Sequence, residues 1–182
     1  MIRRPFGRLA FLIALNLGVG TAWTAAPPGE YQIKAAYLLN FARYMEWPAA
    51  RLPIGALLRL CVLGRDPFGG ALMGLEGRQV NGHEMRLRQI EGVDQAGDCH
   101  LVFIADSEER RLGLLLRGLA GKGVLSVSDA DGFAEAGGGI GLVVEDGRVR
   151  FDINHAALQR DGLRASSQLL RLGRNVLGVR GF

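Results

Sequence analysis

The chain has 182 residues, a formal net charge of +4 and two cysteines. Arg3, Arg4 and Arg8 stand in an N-terminal stretch without acidic residues, so the rest of the chain carries only about +1. No basic stripe alternates with aromatic residues, and this pattern excludes an obvious nucleic-acid-binding surface.

The first 22 residues predict a secretory signal peptide. The arginine-rich start is followed by an apolar run over 9–19 and by small residues that end at Ala22. The run is shorter than the roughly 20 apolar residues of a spanning helix, which favours a cleaved leader over a retained anchor. Cleavage is expected after Ala22, with Ala26 as the second choice.

Export sets the expected organisation of the remaining chain. We expect an exported protein with a short linker at 23–30, one domain at 31–177 and a tail at 178–182. Its length is typical of a single domain, and no later stretch is apolar enough to span a bilayer.

The first half of the domain alternates helix and strand signals. Apolar residues at three- and four-residue steps predict a helix from Tyr31 to Trp47, where Pro48 ends it. Its aromatic stripe fits a core face or a partner surface. The elements expected next are a strand at 59–63, a short helix that starts near Asp66 and Pro67 and runs to Leu75, a strand at 84–90, a central strand at 99–105 and a helix capped by Ser107 that runs to Leu119.

The second half predicts a hairpin and two helices after one more strand. Asp146-Gly147 is a strong two-residue hairpin signal between strands at 140–145 and 148–153. The other expected elements are a strand at 124–128, a helical turn at 131–136, a helix that begins at Asn154 and ends at Gly162, and a last helix capped by Ser166 or Ser167 that runs to about Leu177.

This order of elements predicts an α/β fold. We expect a three-layer sandwich in which helices flank a mixed, mostly parallel sheet, with a C-terminal β-hairpin and two helices.

Cys61 and Cys99 stand near the starts of two apolar strand-like runs. An even cysteine count in an oxidising compartment favours a disulfide, and parallel neighbouring strands would bring their first residues side by side. Two buried thiols are the alternative. A metal site is a poor fit because no histidine or carboxylate stands at ligand spacing, and His100 would point to the opposite face of the strand.

Three features could indicate catalysis, and none has the pattern that an enzyme needs. The turn at 64–70 lacks the residues of a phosphate-binding loop. Asp129 and Asp131 resemble a D-x-D motif, yet capping of the next helical turn explains them as well. The three histidines are scattered and show no triad or metal spacing. We therefore predict neither an enzyme nor a cofactor.

Five segments together resemble the YfiR-like family of periplasmic proteins. They are KAAYLLNFARYMEWP at 34–48, LCVLGRDPFG at 60–69, CHLVFIADSEERRL at 99–112, VLSVSDADGFAEAGGGIGLV at 124–143 and VRFDINHAALQRDGLRASSQLLRLGRNV at 149–176. The resemblance implies an α/β protein that binds the periplasmic sensor region of an inner-membrane diguanylate cyclase and represses it, which limits cyclic di-GMP and biofilm formation. It also implies a homodimer.

The resemblance bears on the cysteines as well. Cys61 and Cys99 match the cysteine pair that is common in the family, which supports the disulfide. Some members carry a second pair near 133–141, where this chain has Ala134 and Gly141, so redox switching through a second bridge is in doubt here.

The best family signature lies near the C-terminus, where residues that suit helix caps stand beside polar side chains. Asn154, Gly162 and Ser166 stand where a helix start, stop and restart need those residue types, so we interpret them as caps. The functional alternative is that Arg164, Ser167 and Arg171 contact an anionic ligand or the partner. Two other functions stay open. They are a small-ligand binding protein that serves a sensor kinase or a transporter, and an enzyme whose site is assembled only in space.

Overall fold

The structure is a computed structural model that describes residues 29–178. The predicted signal peptide, most of the predicted linker and residues 179–182 lie outside this range. Within it, the helices are α1 (Glu30–Tyr44), α2 (Leu112–Leu119), α3 (His155–Arg160) and α4 (Ser167–Leu172). The strands are β1 (Met45–Glu46), β2 (Leu58–Leu63), β3 (Gln79–Val80), β4 (His83–Ile90), β5 (Leu101–Ile104), β6 (Leu125–Ser128), β7 (Ile140–Glu145), β8 (Arg148–Asn154), β9 (Arg164–Ala165) and β10 (Asn175–Leu177).

Eight strands form one mixed sheet in the order β10-β8-β7-β6-β5-β2-β4-β3. Neighbouring strands are parallel except in the β7–β8 and β3–β4 pairs. β1 and β9 pair separately as a short antiparallel ladder. The predicted mixed, mostly parallel sheet is confirmed.

Helical layers cover both faces of this sheet, as predicted. One apolar core joins the sheet to α1, α3 and α4, and a second joins it to α2 and a 3₁₀ turn at Val93–Asp98. The central strands β2 and β5 are buried along both faces, which explains their nearly continuous apolar sequences.

The hairpin and the helix after it follow the sequence closely. Asp146 and Gly147 both have positive φ, which suits the two-residue turn between β7 and β8. The Asn154 side chain accepts a hydrogen bond from Ala157 N at 2.9 Å and caps α3. In the glycine run before this hairpin, the backbone of Gly138 lies against the ring of Phe133. A Cβ at this position would collide with the ring, so the contact requires glycine.

Two predicted helix starts are wrong. Ser107 caps no helix, because its hydroxyl accepts a hydrogen bond from Arg65 N at 2.9 Å in the neighbouring loop. A 3₁₀ turn at Asp106–Arg111 leads into α2 instead. Asp66 accepts from Phe68 N at 2.8 Å and closes a turn, and helical backbone begins only at Ala71–Leu75.

The predicted last helix is also too long. Of the two predicted caps, Ser166 and Ser167, the structure uses Ser166, whose hydroxyl accepts a hydrogen bond from Leu169 N at 3.1 Å. α4 ends at Leu172, and the chain then returns to the sheet as β10 beside β8. The Asp152 carboxylate holds this strand. It accepts hydrogen bonds from Asn175 N at 3.1 Å and Nδ2 at 3.0 Å, and from Arg174 Nε at 2.9 Å.

Cys61 and Cys99 form a disulfide with a Cα–Cα separation of 6.0 Å. β2 and β5 are parallel neighbours, as the prediction required, but Cys61 is registered with Val102 and not with the other cysteine. Cys99 lies just before β5 and after the 3₁₀ turn. The bridge therefore joins β2 to the loop that enters β5, and both cysteines are fully buried.

Candidate functional site

The candidate site is the corner where the end of α1 meets the chain between α3 and α4. β1 continues directly from α1 and pairs with β9, which registers Glu46 with Arg164. Ser166 N donates to Tyr44 O at 2.9 Å and fastens the two segments beyond this pair. The corner thus joins residues from opposite ends of the domain.

A cavity of about 310 Å³ opens at this corner. It is lined by Glu46, Trp47, Pro48, Ala49, Gly162 and Arg164. Glu46 and Arg164 are exposed and, within the described residues, neither takes part in an ion pair. An open carboxylate and an open guanidinium beside an indole ring can hold a small ligand with charges of both signs.

Glu46 and Trp47 also border a second, smaller cavity. This cavity has a volume of about 180 Å³ and includes His83 and Asn81 among its lining residues. The His83 Nδ1 atom lies 2.8 Å from Ala56 O, so one ring nitrogen already has a backbone partner.

The structure separates the three predicted contact residues. Arg164 lines the larger cavity, whereas Ser167 and Arg171 lie one turn apart on α4 and are exposed. Ser166, and not Ser167, serves as the helix cap, so the Ser167 hydroxyl is not used for capping. Of the three, only Arg164 is placed to contact a small ligand in the cavity.

Trp47 is fixed in orientation by the loop that contains the disulfide. Its indole Nε1 donates to His100 O at 3.0 Å, and its ring meets the imidazole of His100 edge-on. Since the indole N–H is already used, the part of Trp47 that the cavity receives is its apolar ring.

His100 is buried and bonded to backbone groups on both sides of its ring. Nδ1 accepts from Arg59 N at 3.0 Å, which leaves Nε2 to donate to Arg51 O at 3.0 Å. Burial lowers the pKa of this histidine below its usual 6.5, since a protonated ring would be poorly solvated. The side chain is therefore neutral and structural.

Arg51 completes the support of the corner. Its guanidinium donates to Gly97 O at 3.0 Å and to Cys99 O at 2.9 Å. The disulfide, Arg51, His100 and Trp47 thus form one continuous set of contacts beneath the cavity. The sequence suggested none of these contacts beyond the disulfide, because each joins residues far apart in the chain.

A second charged cluster explains the D-x-D motif. The Lys34 ammonium lies 2.6 Å from Asp129 Oδ2 and 2.5 Å from Glu30, and it is buried. Tyr31 donates to the same Asp129 oxygen at 3.1 Å. Of the two aspartates that were alternatives for capping the next helical turn, Asp129 does not serve as the cap, because its carboxylate ties α1 to the end of β6.

The pKa values of this cluster follow from its geometry. Burial alone would lower the pKa of Lys34, but hydrogen bonds to Asp129 and Glu30 outweigh burial and raise it. Burial and the neighbouring Asp129 charge raise the pKa of Tyr31 to about 12. The groups are thus held as a buried ion pair with a neutral phenol, which suits a structural tie better than proton transfer.

In residues 29–178, no group of three or more histidine, cysteine, aspartate or glutamate side chains is placed to hold a metal ion. No helix in the same range is long and apolar enough to cross a membrane.

The model of the YfiR/HmsC-like family matches residues 31–174 of this chain. The chain belongs to the YfiR/HmsC-like family. This family comprises periplasmic regulators of cyclic di-GMP signalling and is regulatory rather than catalytic. The resemblance that five sequence segments indicated is thus confirmed.

Two solved structures resemble this YfiR/HmsC-like chain in fold. One is an ABC domain from Streptococcus pneumoniae in complex with L-Trp, with a TM-score of 0.53 and 8% identity over 79% of this chain and 60% of that chain. The other is a conserved domain protein from Vibrio cholerae, with a TM-score of 0.52 and 10% identity over 81% of this chain and 60% of that chain. At these identities the likeness shows the fold alone, and this chain spans about 60% of each relative.

Proposed function

We propose that this YfiR/HmsC-like protein is a periplasmic repressor of a membrane-bound diguanylate cyclase. It binds the sensor region of the cyclase on the periplasmic side and so limits cyclic di-GMP. The family match over 31–174 is the observation that carries this proposal. The corner with Arg164, Ser167 and Arg171 is the proposed contact surface, because Arg164 is exposed at the cavity and Ser167 and Arg171 are exposed on α4, which follows it in the chain.

Repression of this kind requires a difference in affinity. The repressor favours the inactive state of the cyclase only because it binds that state more tightly than the active one. A cue that weakens the complex then releases the cyclase. We also propose, from the family resemblance, that the repressor acts as a homodimer.

Cells that lack the protein test this function directly. Deletion is expected to raise cellular cyclic di-GMP, and the wild-type gene is expected to restore the low level. The variant Arg164→Glu is expected to restore it poorly, because the reversed charge opposes the contact. Arg110→Glu is the matched control, since Arg110 is an exposed arginine on the distant 3₁₀ turn.

Copurification identifies the partner in the same strains. A tagged wild-type protein is expected to recover a membrane protein with a periplasmic region and a GGDEF-type domain after detergent extraction. An unchanged cyclic di-GMP level on deletion, together with the absence of such a protein from the eluate, rejects the proposal.

A small-ligand receptor for a sensor kinase or a transporter is the second candidate. The cavity with Glu46, Trp47 and Arg164 favours it, because opposite charges beside an indole suit an amino acid. The pneumococcal neighbour was solved with L-Trp, so free L-Trp is the first ligand to test by calorimetry. Binding that Arg164→Glu abolishes and Arg110→Glu preserves supports this candidate, and the absence of binding rejects it for L-Trp.

A further inference from the structure

The outer edge of β4 is open only at its C-terminal end. β3 pairs with β4 only at His83 and Glu84. The next outward residue, Met85, donates to Arg78 O at 2.8 Å and accepts from Gly77 N at 2.9 Å. Outward and inward backbone groups alternate along a strand, so Leu87 and Gln89 also direct their N–H and C=O groups away from β2.

A side chain takes the place of a neighbouring strand at Leu87. The Glu76 carboxylate accepts the Leu87 N–H at 2.7 Å, and its other oxygen accepts from Arg86 at 3.0 Å. The Leu87 N–H and the Arg86 contact lower the pKa of Glu76, so it stays ionised. Glu76 therefore closes one amide of the edge and leaves the rest unpaired.

Three outward backbone groups beyond the Glu76 carboxylate have no partner in residues 29–178. Within the described residues, Leu87 C=O, Gln89 N–H and Gln89 C=O have no hydrogen-bond partner. A carbonyl and an amide on either side of Arg88 are the pair that an added parallel strand uses for one bridge. The unpaired groups on either side of Arg88 can therefore form backbone hydrogen bonds to a short extended segment.

The surroundings of this edge are apolar on one face and basic on the other. A groove of about 190 Å³ runs beside the strand and includes the apolar residues Leu72, Leu87 and Met73, of which Met73 is 69% exposed. Its polar lining residues are Asp66, Arg88 and Gln89. Arg88 is exposed, and its guanidinium makes no hydrogen bond or ion pair with the part of the chain that the structure describes. An incoming strand with one apolar and one acidic face would complement both features.

We propose that the β4 edge at Leu87–Gln89 docks an extended segment of another protein in which acidic and apolar side chains alternate. The segment adds one strand to the sheet, places an acid against Arg88 and an apolar side chain against Met73. A second copy of this chain is a poor occupant, because antiparallel pairing through Leu87 would bring the Arg86 and Arg88 guanidinium groups of the two chains together. This inference does not depend on the identity of the cyclase.

A titration with defined peptides tests the proposal. The probe is the blocked heptapeptide DVDVDVD, added to the isotope-labelled full-length mature protein, and KVKVKVK is the charge-reversed control. We expect the amide signals of Leu87 to Gln89 to shift with the acidic peptide, at a Kd of about 1 mM or tighter. No shift at these amides, or equal shifts with KVKVKVK, overturns the proposal.

Substitutions at exposed residues of the edge test the proposal without altering the core of the domain. Arg88→Glu is expected to weaken DVDVDVD binding by about tenfold, and Arg88→Lys by less than about threefold. Glu76→Ala frees the Leu87 N–H and is expected to tighten binding, whereas Glu76→Gln removes the same charge but keeps an acceptor for that N–H and is expected to tighten binding less. Unchanged binding by Arg88→Glu, or weaker binding by Glu76→Ala in a folded protein, overturns the proposal that the β4 edge docks such a segment.

Discussion

The indole of Trp47 donates to the carbonyl of His100, the residue that follows disulfide-bonded Cys99. This bond makes the disulfide part of the support for the candidate site, because the same loop holds Arg51 through Cys99 O. We therefore expect a change at the disulfide to alter the position of Trp47 in the cavity wall, even though both cysteines are buried in the core beside α2.

Removal of the disulfide should destabilise the protein strongly. The variant Cys61→Ala/Cys99→Ala frees a loop with a sequence separation of 38. The chain-entropy relation gives a loss of about 4 kcal/mol in the free energy of unfolding for this length. Urea denaturation followed by circular dichroism measures it. Wild-type protein under reducing conditions should show a similar loss, and a double variant as stable as the oxidised wild type contradicts the prediction.

Stability should fall as the pH drops below 6.5 because of His100. Its pKa is lowered in the folded state, so above 6.5 both states hold a neutral ring and stability is unaffected. Below 6.5 the His100 ring is protonated in the unfolded chain but not in the folded chain. The free energy of unfolding therefore falls by up to about 1.4 kcal/mol per pH unit.

Urea denaturation at a series of pH values measures this dependence. The variant His100→Asn should flatten the curve below pH 6.5, since it removes the titrating ring. His155→Asn is the control, because it leaves the His100 ring in place. An equal slope in wild type and His100→Asn counts against the assignment.

Loss of the Lys34 charge should be costly because Asp129 then lies buried without a cation. Lys34→Met is expected to lower the free energy of unfolding by about 3–5 kcal/mol. The double variant Lys34→Met/Asp129→Leu should recover part of this loss, because it removes the orphaned charge. A double-mutant cycle by urea denaturation measures the coupling, and additive losses would show that the pair does not act as a unit.

The Asp152 carboxylate should govern the attachment of β10. Asp152→Ala is expected to speed hydrogen exchange at Asn175–Leu177, because it removes the acceptor for Arg174 and Asn175. Mass spectrometry of the C-terminal peptide measures the exchange. Glu145→Ala removes the more distant Arg174 partner, at 3.4 Å, together with an exposed ion pair to Arg150, and should change the exchange little.

The same attachment should weaken in acid. Bonds from Arg174 and Asn175 lower the pKa of Asp152 below 3.8, so its contribution is complete above 3.8 and is lost as the pH falls through the lowered value. The protection factors of Asn175–Leu177, which compare exchange with the intrinsic rate at each pH, should fall in that range in wild type and stay low throughout in Asp152→Ala.

The features that could be predicted from the sequence depend on neighbouring residues. The Asp146-Gly147 turn and the Asn154 cap need only a few adjacent positions, and the structure contains both. Ser107 failed as a cap because Arg65 N, 42 residues away, takes its hydroxyl. α4 ends early because Asp152 draws the following residues into the sheet.

The candidate site was predicted only in part for the same reason. The C-terminal signature pointed to Arg164, but Glu46 and Trp47 come from the other end of the domain. Trp47 looked like the end of a helix, and no local pattern showed that Lys34 would be buried against Asp129. Ser167 and Arg171 stay predicted contacts that a partner-binding experiment must test.

The Asp152–Arg174 pair has a consequence for how the chain is completed. The carboxylate is buried in β8, and its counterion is supplied more than twenty residues later, near the end of the domain. A chain that stops before Arg174 retains an unmatched charge in its interior and lacks the edge strand that covers β8. We expect such a chain to be less stable than the complete domain, so the last residues of the fold govern the stability of a strand formed long before them.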